Sequence, residues 1–157
     1  MSPRLVVGIT LALAGCGPRP DVRQLCGVWA GAELSEHWSI DGRDLQGEGR
    51  MIRDGVEITT ERLKLKKTRA GHVYVAMPSD VAPTEFAPID PATAKFGPDR
   101  VPAATTRFSW ANYQHDFPQE IHYLVQGDRL TAIISGPDRE SGFEFQRVTD
   151  CVQVAPP

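Results

Sequence analysis

Apolar residues recur at every second position along most of this chain, and no stretch holds the spacing of an amphipathic helix. Strand side chains alternate between two faces, so the pattern predicts half-buried strands. Leu25, Gly27 and Trp29 fall on one face of the first. Glu36 to Ile40 makes a second, Leu45 to Ile52 a third, and Val56 to Leu65 a fourth, with Val56 and Ile58 on one face. In His72 to Met77, the residues Val73, Val75 and Met77 oppose His72, Tyr74 and Ala76. Phe86 marks a brief strand, and Ala104 to Trp110, Ile121 to Val125, Leu130 to Ser135 and Phe143 to Arg147 complete the series. Asp41-Gly42-Arg43-Asp44, Arg53-Asp54-Gly55, Gly127-Asp128 and Gly136-Pro137-Asp138 supply the turns. About eight to ten short antiparallel strands joined this way predict an all-β, up-and-down barrel, because closure removes the exposed edges of a flat sheet. A two-sheet sandwich is the alternative.

The length of 157 residues and the 41% hydrophobic content suit one domain with one core. Net charge is -3, and no basic stripe exists to neutralise phosphates, which excludes nucleic acid as the expected partner. Lys64-Leu65-Lys66-Lys67 with Arg69 reads as the solvated end of a strand. Five prolines between Pro83 and Pro102 make residues 78–103 mostly loop, a candidate lid or rim.

The N-terminus carries a different message. Arg4 precedes an apolar run from Leu5 to Ala14, which at 1.5 Å per residue covers only about 15 Å, half a bilayer core. This is the layout of an export signal. The tetrad Leu13-Ala14-Gly15-Cys16 resembles the bacterial lipobox. That resemblance implies a signal peptide over residues 1–15 and a diacylglycerol thioether on Cys16. It also implies palmitate or a similar acyl chain on the new amine. Residues 16–23 then form a lipidated tether stiffened by Pro18 and Pro20, residues 24–152 the barrel and residues 153–157 a tail. In such lipoproteins an aspartate after the cysteine favours the inner membrane, so Gly17 implies the periplasmic face of the outer membrane in the cell envelope. Export to an oxidising compartment leaves Cys26 and Cys151 free to pair, and a disulfide between them is expected, two unpaired thiols being the alternative.

Gly27-Val28-Trp29 resembles the Gly-x-Trp element that opens lipocalin and related calycin barrels, in which a late basic residue packs over the tryptophan. The resemblance implies barrel closure by Trp29 and Arg147. A wider resemblance links Gly27-Val28-Trp29, Glu36-His37-Trp38, Gly47 to Arg50, Arg53-Asp54-Gly55, His115-Asp116-Phe117-Pro118 and Ile121-His122-Tyr123 to a bacterial family of unknown function marked by His-Asp-Phe-Pro. It carries no reaction with it. The chain departs from that family in its extended proline-rich stretch 88–103 and in Gln114.

His115 and Asp116 are the candidate catalytic pair, a carboxylate able to orient an imidazole, although aspartate before such a turn also caps backbone amides. Trp38, Arg50, His115 and Tyr123 are the candidate ligand-binding residues. Glu36 shares a face with Trp38, as Glu48 and Arg50 do with Gln46; an outward, solvated pair is the favoured reading, and an inward carboxylate would need a partner such as Arg50 or Arg53. His37, His72 and His122 lack metal-ligand spacing, so no metal is expected, and no Gly-x-Ser-x-Gly elbow supports a nucleophilic serine. The expectation is a monomeric, lipid-anchored barrel without cofactor that binds a small, largely apolar molecule between its strands, with the proline-rich loop near the entrance. An enzyme using His115 and Asp116, or a scaffold for another envelope protein, are the alternatives.

Overall fold

A computed structural model describes residues 19–151; the proposed signal peptide, Cys16 and the C-terminal tail lie outside the described residues. The ten strands are β1 Gly27–Ala30, β2 Leu34–Asp41, β3 Asp44–Arg53, β4 Val56–Thr68, β5 Gly71–Pro78, β6 Thr84–Pro88, β7 Thr106–Ala111, β8 Glu120–Gln126, β9 Arg129–Ser135 and β10 Glu140–Thr149. Each pairs antiparallel with its sequence neighbour, and β1 pairs with β10, so the sheet closes into an up-and-down barrel. The expected fold class and closure are therefore present, and a sandwich is not.

Leu25 does not belong to the first strand. It ends a 3-10 turn, Val22–Leu25, capped by the Asp21 carboxylate, which accepts from the Arg23 amide. This turn plugs one end of the barrel with Val22 and Leu25, and the Leu25 carbonyl accepts from the Trp29 indole N–H at 2.8 Å. Arg147 lies over the Trp29 ring at 3.9 Å and donates to the Cys26 and Gln24 carbonyls at that end. The Cys26–Cys151 disulfide joins the chain there across 125 residues of sequence. Closing so long a loop in the unfolded chain is worth about 4–5 kcal/mol in the chain-entropy description.

The hairpins near residues 42, 70 and 127 share this closed end with both ends of the described chain. The connections near residues 32, 54, 81, 115 and 137 form the other, open end. Between them the interior is filled by aromatic side chains, chiefly Trp29, Trp38, Tyr74, Phe86, Phe108, Trp110, Tyr123 and Phe145. On β5 the inward set is Tyr74 and Ala76. Gly47 shows how tightly this packs: a Cβ there would stand 2.7 Å from the Trp38 ring, which lies flat across β3.

Only the start of the proline-rich segment, residues 79–83, stands at the open end. Residues 84–88 enter the sheet as β6, Pro91–Thr93 forms a 3-10 turn, and the remainder straps the outer wall of β7 and β8. Glu120 of β8 receives the backbone amides of Lys95 and Phe96 at 2.6 and 2.9 Å.

Candidate functional site

Register alone brings two carboxylates to the open end. Glu36 on β2 pairs with Gly49 on β3, and Gly49 pairs with Glu61 on β4. All three positions face inward, and the missing side chain at Gly49 makes room for that of Glu61, whose Cγ lies 3.0 Å from where a Cβ would stand. A bulge assists, since Thr60 is an extra residue of β4 whose hydroxyl donates to the Gly49 carbonyl.

Glu36 sits on an aromatic floor. The Tyr123 hydroxyl donates to its carboxylate at 2.8 Å, the Trp38 indole N–H donates at 2.9 Å, and the Tyr74 hydroxyl lies 3.3 Å from that of Tyr123. Tyr74 packs edge-on against Trp38 and Tyr123. Burial among these rings raises the Glu36 carboxyl to about 7, against the hydrogen bonds from Trp38 and Tyr123 and with help from the charge of Glu61. Burial raises Glu61 as well, and it pushes both tyrosine hydroxyls well above their ordinary value. Neither acid has a basic partner among the described residues.

Above this floor the mouth is apolar. Leu34, Ala76, Ile134 and Phe143 are half-buried against the core. The β3–β4 hairpin projects past the mouth, presenting Met51, Val56 and Ile58 from its inner face at 37%, 61% and 49% exposure, and Val81 is exposed on the neighbouring β5–β6 hairpin. Large apolar side chains left in water around one opening are the usual mark of a contact surface.

The residues singled out from sequence divide between places. Trp38 and Tyr123 meet at the floor. Arg50 is on the outer wall, where its guanidinium binds Glu48 at 2.7 Å and Glu57 at 2.8 Å, and Glu57 also receives Ser35 and contacts His37. It therefore does not neutralise Glu36. Glu36 instead accepts a hydrogen bond from Tyr123, which lies 87 residues away in sequence. Arg50 and Glu48 instead edge a depression of about 380 Å³ on the outer face of β1 to β4, with His37 and Arg62.

His115 and Asp116 stand in the β7–β8 connection at the open end. The His115 ring packs on Phe86, and its Nδ1 donates to the Pro118 carbonyl at 2.8 Å. Asp116 is exposed, and among the described residues no hydrogen bond or ion pair joins it to His115. The turn is held by Asn112, whose carbonyl accepts from the His115 amide, and by Gln119, which donates to the His115 carbonyl. Phe117 is covered by the Arg139 guanidinium, and the Phe117–Pro118 bond is cis.

One constellation escaped the sequence reading. Beneath the strap, Ser109 lies 2.8 Å from His122 Nδ1, and His122 Nε2 lies 3.1 Å from Glu120. Burial first, and then Arg107, keeps the imidazole uncharged below its ordinary value, so one nitrogen accepts from Ser109 while the other donates to Glu120. Burial alone would raise Glu120, but Tyr113 and the Lys95 and Phe96 amides outweigh it and hold the carboxylate low. The order of groups is that of an activated serine, yet His122 and Glu120 are wholly buried and Gly97 covers the imidazole. It anchors the strap. Its members were unrecognisable in sequence because they converge from β7, β8 and a loop without a motif.

Among the described residues no group of histidine, cysteine, aspartate and glutamate is placed to hold a metal. Compared with family models, with characterised proteins and with solved structures, the chain matches none.

Proposed function

We propose that this chain is an envelope protein, lipid-anchored through Cys16, whose barrel binds a small molecule at its open end. The ligand has an apolar body that packs on the mouth and a positively charged head that meets Glu36 and Glu61. The observation that carries this reading is Glu36, a carboxylate held on an aromatic floor without a basic partner. A charge in such surroundings is costly unless paired, and a cation over tyrosine and tryptophan faces is attracted by the rings as well. The exposed Met51, Val56 and Ile58 supply the apolar half of the recognition. The Gly-x-Trp resemblance to lipocalins favours the same class of function by analogy.

Native mass spectrometry of the protein purified from its host envelope tests this. A retained small molecule that is lost from the Glu36→Gln variant is expected. A bare mass, together with tryptophan fluorescence unmoved by benzyltrimethylammonium, overturns the ligand reading. Turnover abolished by His115→Ala would favour the enzyme alternative, and a stoichiometric protein companion the scaffold.

A further inference from the structure

The closed end bears a charge opposite to that of the whole chain. Arg19, Arg23, Arg43, Lys66, Lys67 and Arg69 are all exposed there, and none forms an ion pair among the described residues. They come from three separate elements drawn together by the fold. The Arg19 guanidinium donates to the Ala70 carbonyl, joining the incoming chain to the β4–β5 hairpin. His72 binds the Arg43 carbonyl at 3.1 Å, joining that hairpin to the one between β2 and β3. Arg23, Arg43, Lys67 and His72 then line one depression of about 220 Å³. Of the acids at this end, Asp21 caps the 3-10 turn, Asp44 holds Lys64 and the Lys67 amide, Asp41 accepts from Gln46 and Asp128 pairs with Arg147; with Asp150 counted as well, the bases remain in excess. The open end is the reverse, with Glu33, Asp54, Asp80, Asp116, Asp138 and Glu140 exposed at its connections.

We infer that this basic end is a docking surface for an anionic membrane. Three features select a lipid surface over other anions. The bases are spread over two hairpin tips and the incoming chain, as a plane of headgroup phosphates requires and a single bound ion does not. They surround the point at which residues 1–18 join the described chain. The acidic opposite end would be repelled by the same surface, so docking also sets orientation. The attraction acts within about a Debye length, 8–10 Å at physiological salt, which only the hairpin tips satisfy. The surface does not require the acyl anchor proposed above; it would add to one.

The test uses the acyl-free chain from residue 17 onward, which retains every described contact, so its result is independent of lipidation at Cys16. Sedimentation with phosphatidylcholine vesicles containing phosphatidylglycerol is compared with phosphatidylcholine alone. Binding to the anionic vesicles only, lost at high salt, is expected. At the usual strength of a basic residue near such a surface, the combined Arg43→Gln, Lys67→Gln and Arg69→Gln variant binds about a hundredfold more weakly. Arg53→Gln at the open end leaves binding unchanged. Equal binding to neutral vesicles, or an unaffected triple variant with an intact barrel by circular dichroism, overturns the inference. So does displacement by millimolar inorganic phosphate, which would mark a free-anion site, or equally tight capture by polyglutamate, which would mark an acidic protein partner.

Discussion

Replacing Glu36 by glutamine gives the sharpest reading of the site. The carboxyl rises from an ordinary 4.5 to about 7 in the folded barrel. A raised folded value means that the native state holds its proton where the unfolded chain has released it. The resulting stability is complete below about 4.5 and is lost as pH rises through about 7. At about 1.4 kcal/mol for each tenfold change, the loss from about pH 5 to about pH 8 is about 2–3 kcal/mol. Glu36→Gln removes this dependence. It also surrenders part of the bonding to Tyr123 and Trp38, since an amide presents one acceptor where a carboxylate presents two.

The variant is therefore expected to equal or fall below the parent near pH 5 and to exceed it near pH 8, the difference between the two growing by about 2–3 kcal/mol across that interval. Urea unfolding followed by tryptophan fluorescence at both pH values measures this. Glu61 shifts in the same direction but is common to both proteins, so the comparison isolates Glu36. Parallel stability curves would refute the reasoning, because they would mean that water reaches the carboxylate freely and that the aromatic floor does not desolvate it.

Two further substitutions probe the supports of the site. Arg147→Lys keeps the charge but cannot both stack on Trp29 and donate to two carbonyls, so a loss of about 2 kcal/mol in urea unfolding is expected. Glu120→Gln leaves the Lys95 and Phe96 amides competing for one acceptor, and tryptic cleavage after Lys95 and Arg100 should accelerate about tenfold or more while the barrel stays folded. Because the same bonds hold the Glu120 carboxyl below 4.5, the parent strap is secure above that pH and loosens as pH falls beneath it.

The fold was legible in the sequence because it follows from local rules. Alternation marks which side chains face inward, and dipeptides such as Asp54-Gly55 fix where strands reverse. Trp29 and Arg147 meet because the first and last strands must pair when a meander closes. The site was legible by halves. That Glu36 and Trp38 share a face could be read from position, but neither its inward direction nor the partner of Glu36 could. Arg50 looked suitable by charge and spacing, whereas period-two geometry sends it to the outer wall with Glu48 and Glu57. Tyr123 reaches Glu36 from across the barrel, and Glu61 is brought beside it by a bulge that no single-strand pattern announces. The strap misled for a related reason. Its prolines rule out regular structure without saying which wall it covers, and that is decided by Glu120, a buried acid one strand away from any recognisable motif.

An even number of up-and-down strands returns the chain to the end at which it started, and the Cys26–Cys151 bond makes that coincidence permanent. Any attachment preceding Arg19 is therefore at the opposite end from Glu36. Glu36 lies five residues along β2 from Asp41 at the closed end, about 17 Å and about two Debye lengths at physiological salt. A negatively charged bilayer at the closed end would concentrate protons and cations near Arg43 and Lys67, yet its potential would have decayed before the mouth. The protonation of Glu36 is consequently set first by its burial, then by Trp38, Tyr123 and Glu61, and not by the surface on which the protein is proposed to stand. A barrel arranged this way can hold its base in one electrostatic environment while its mouth samples another.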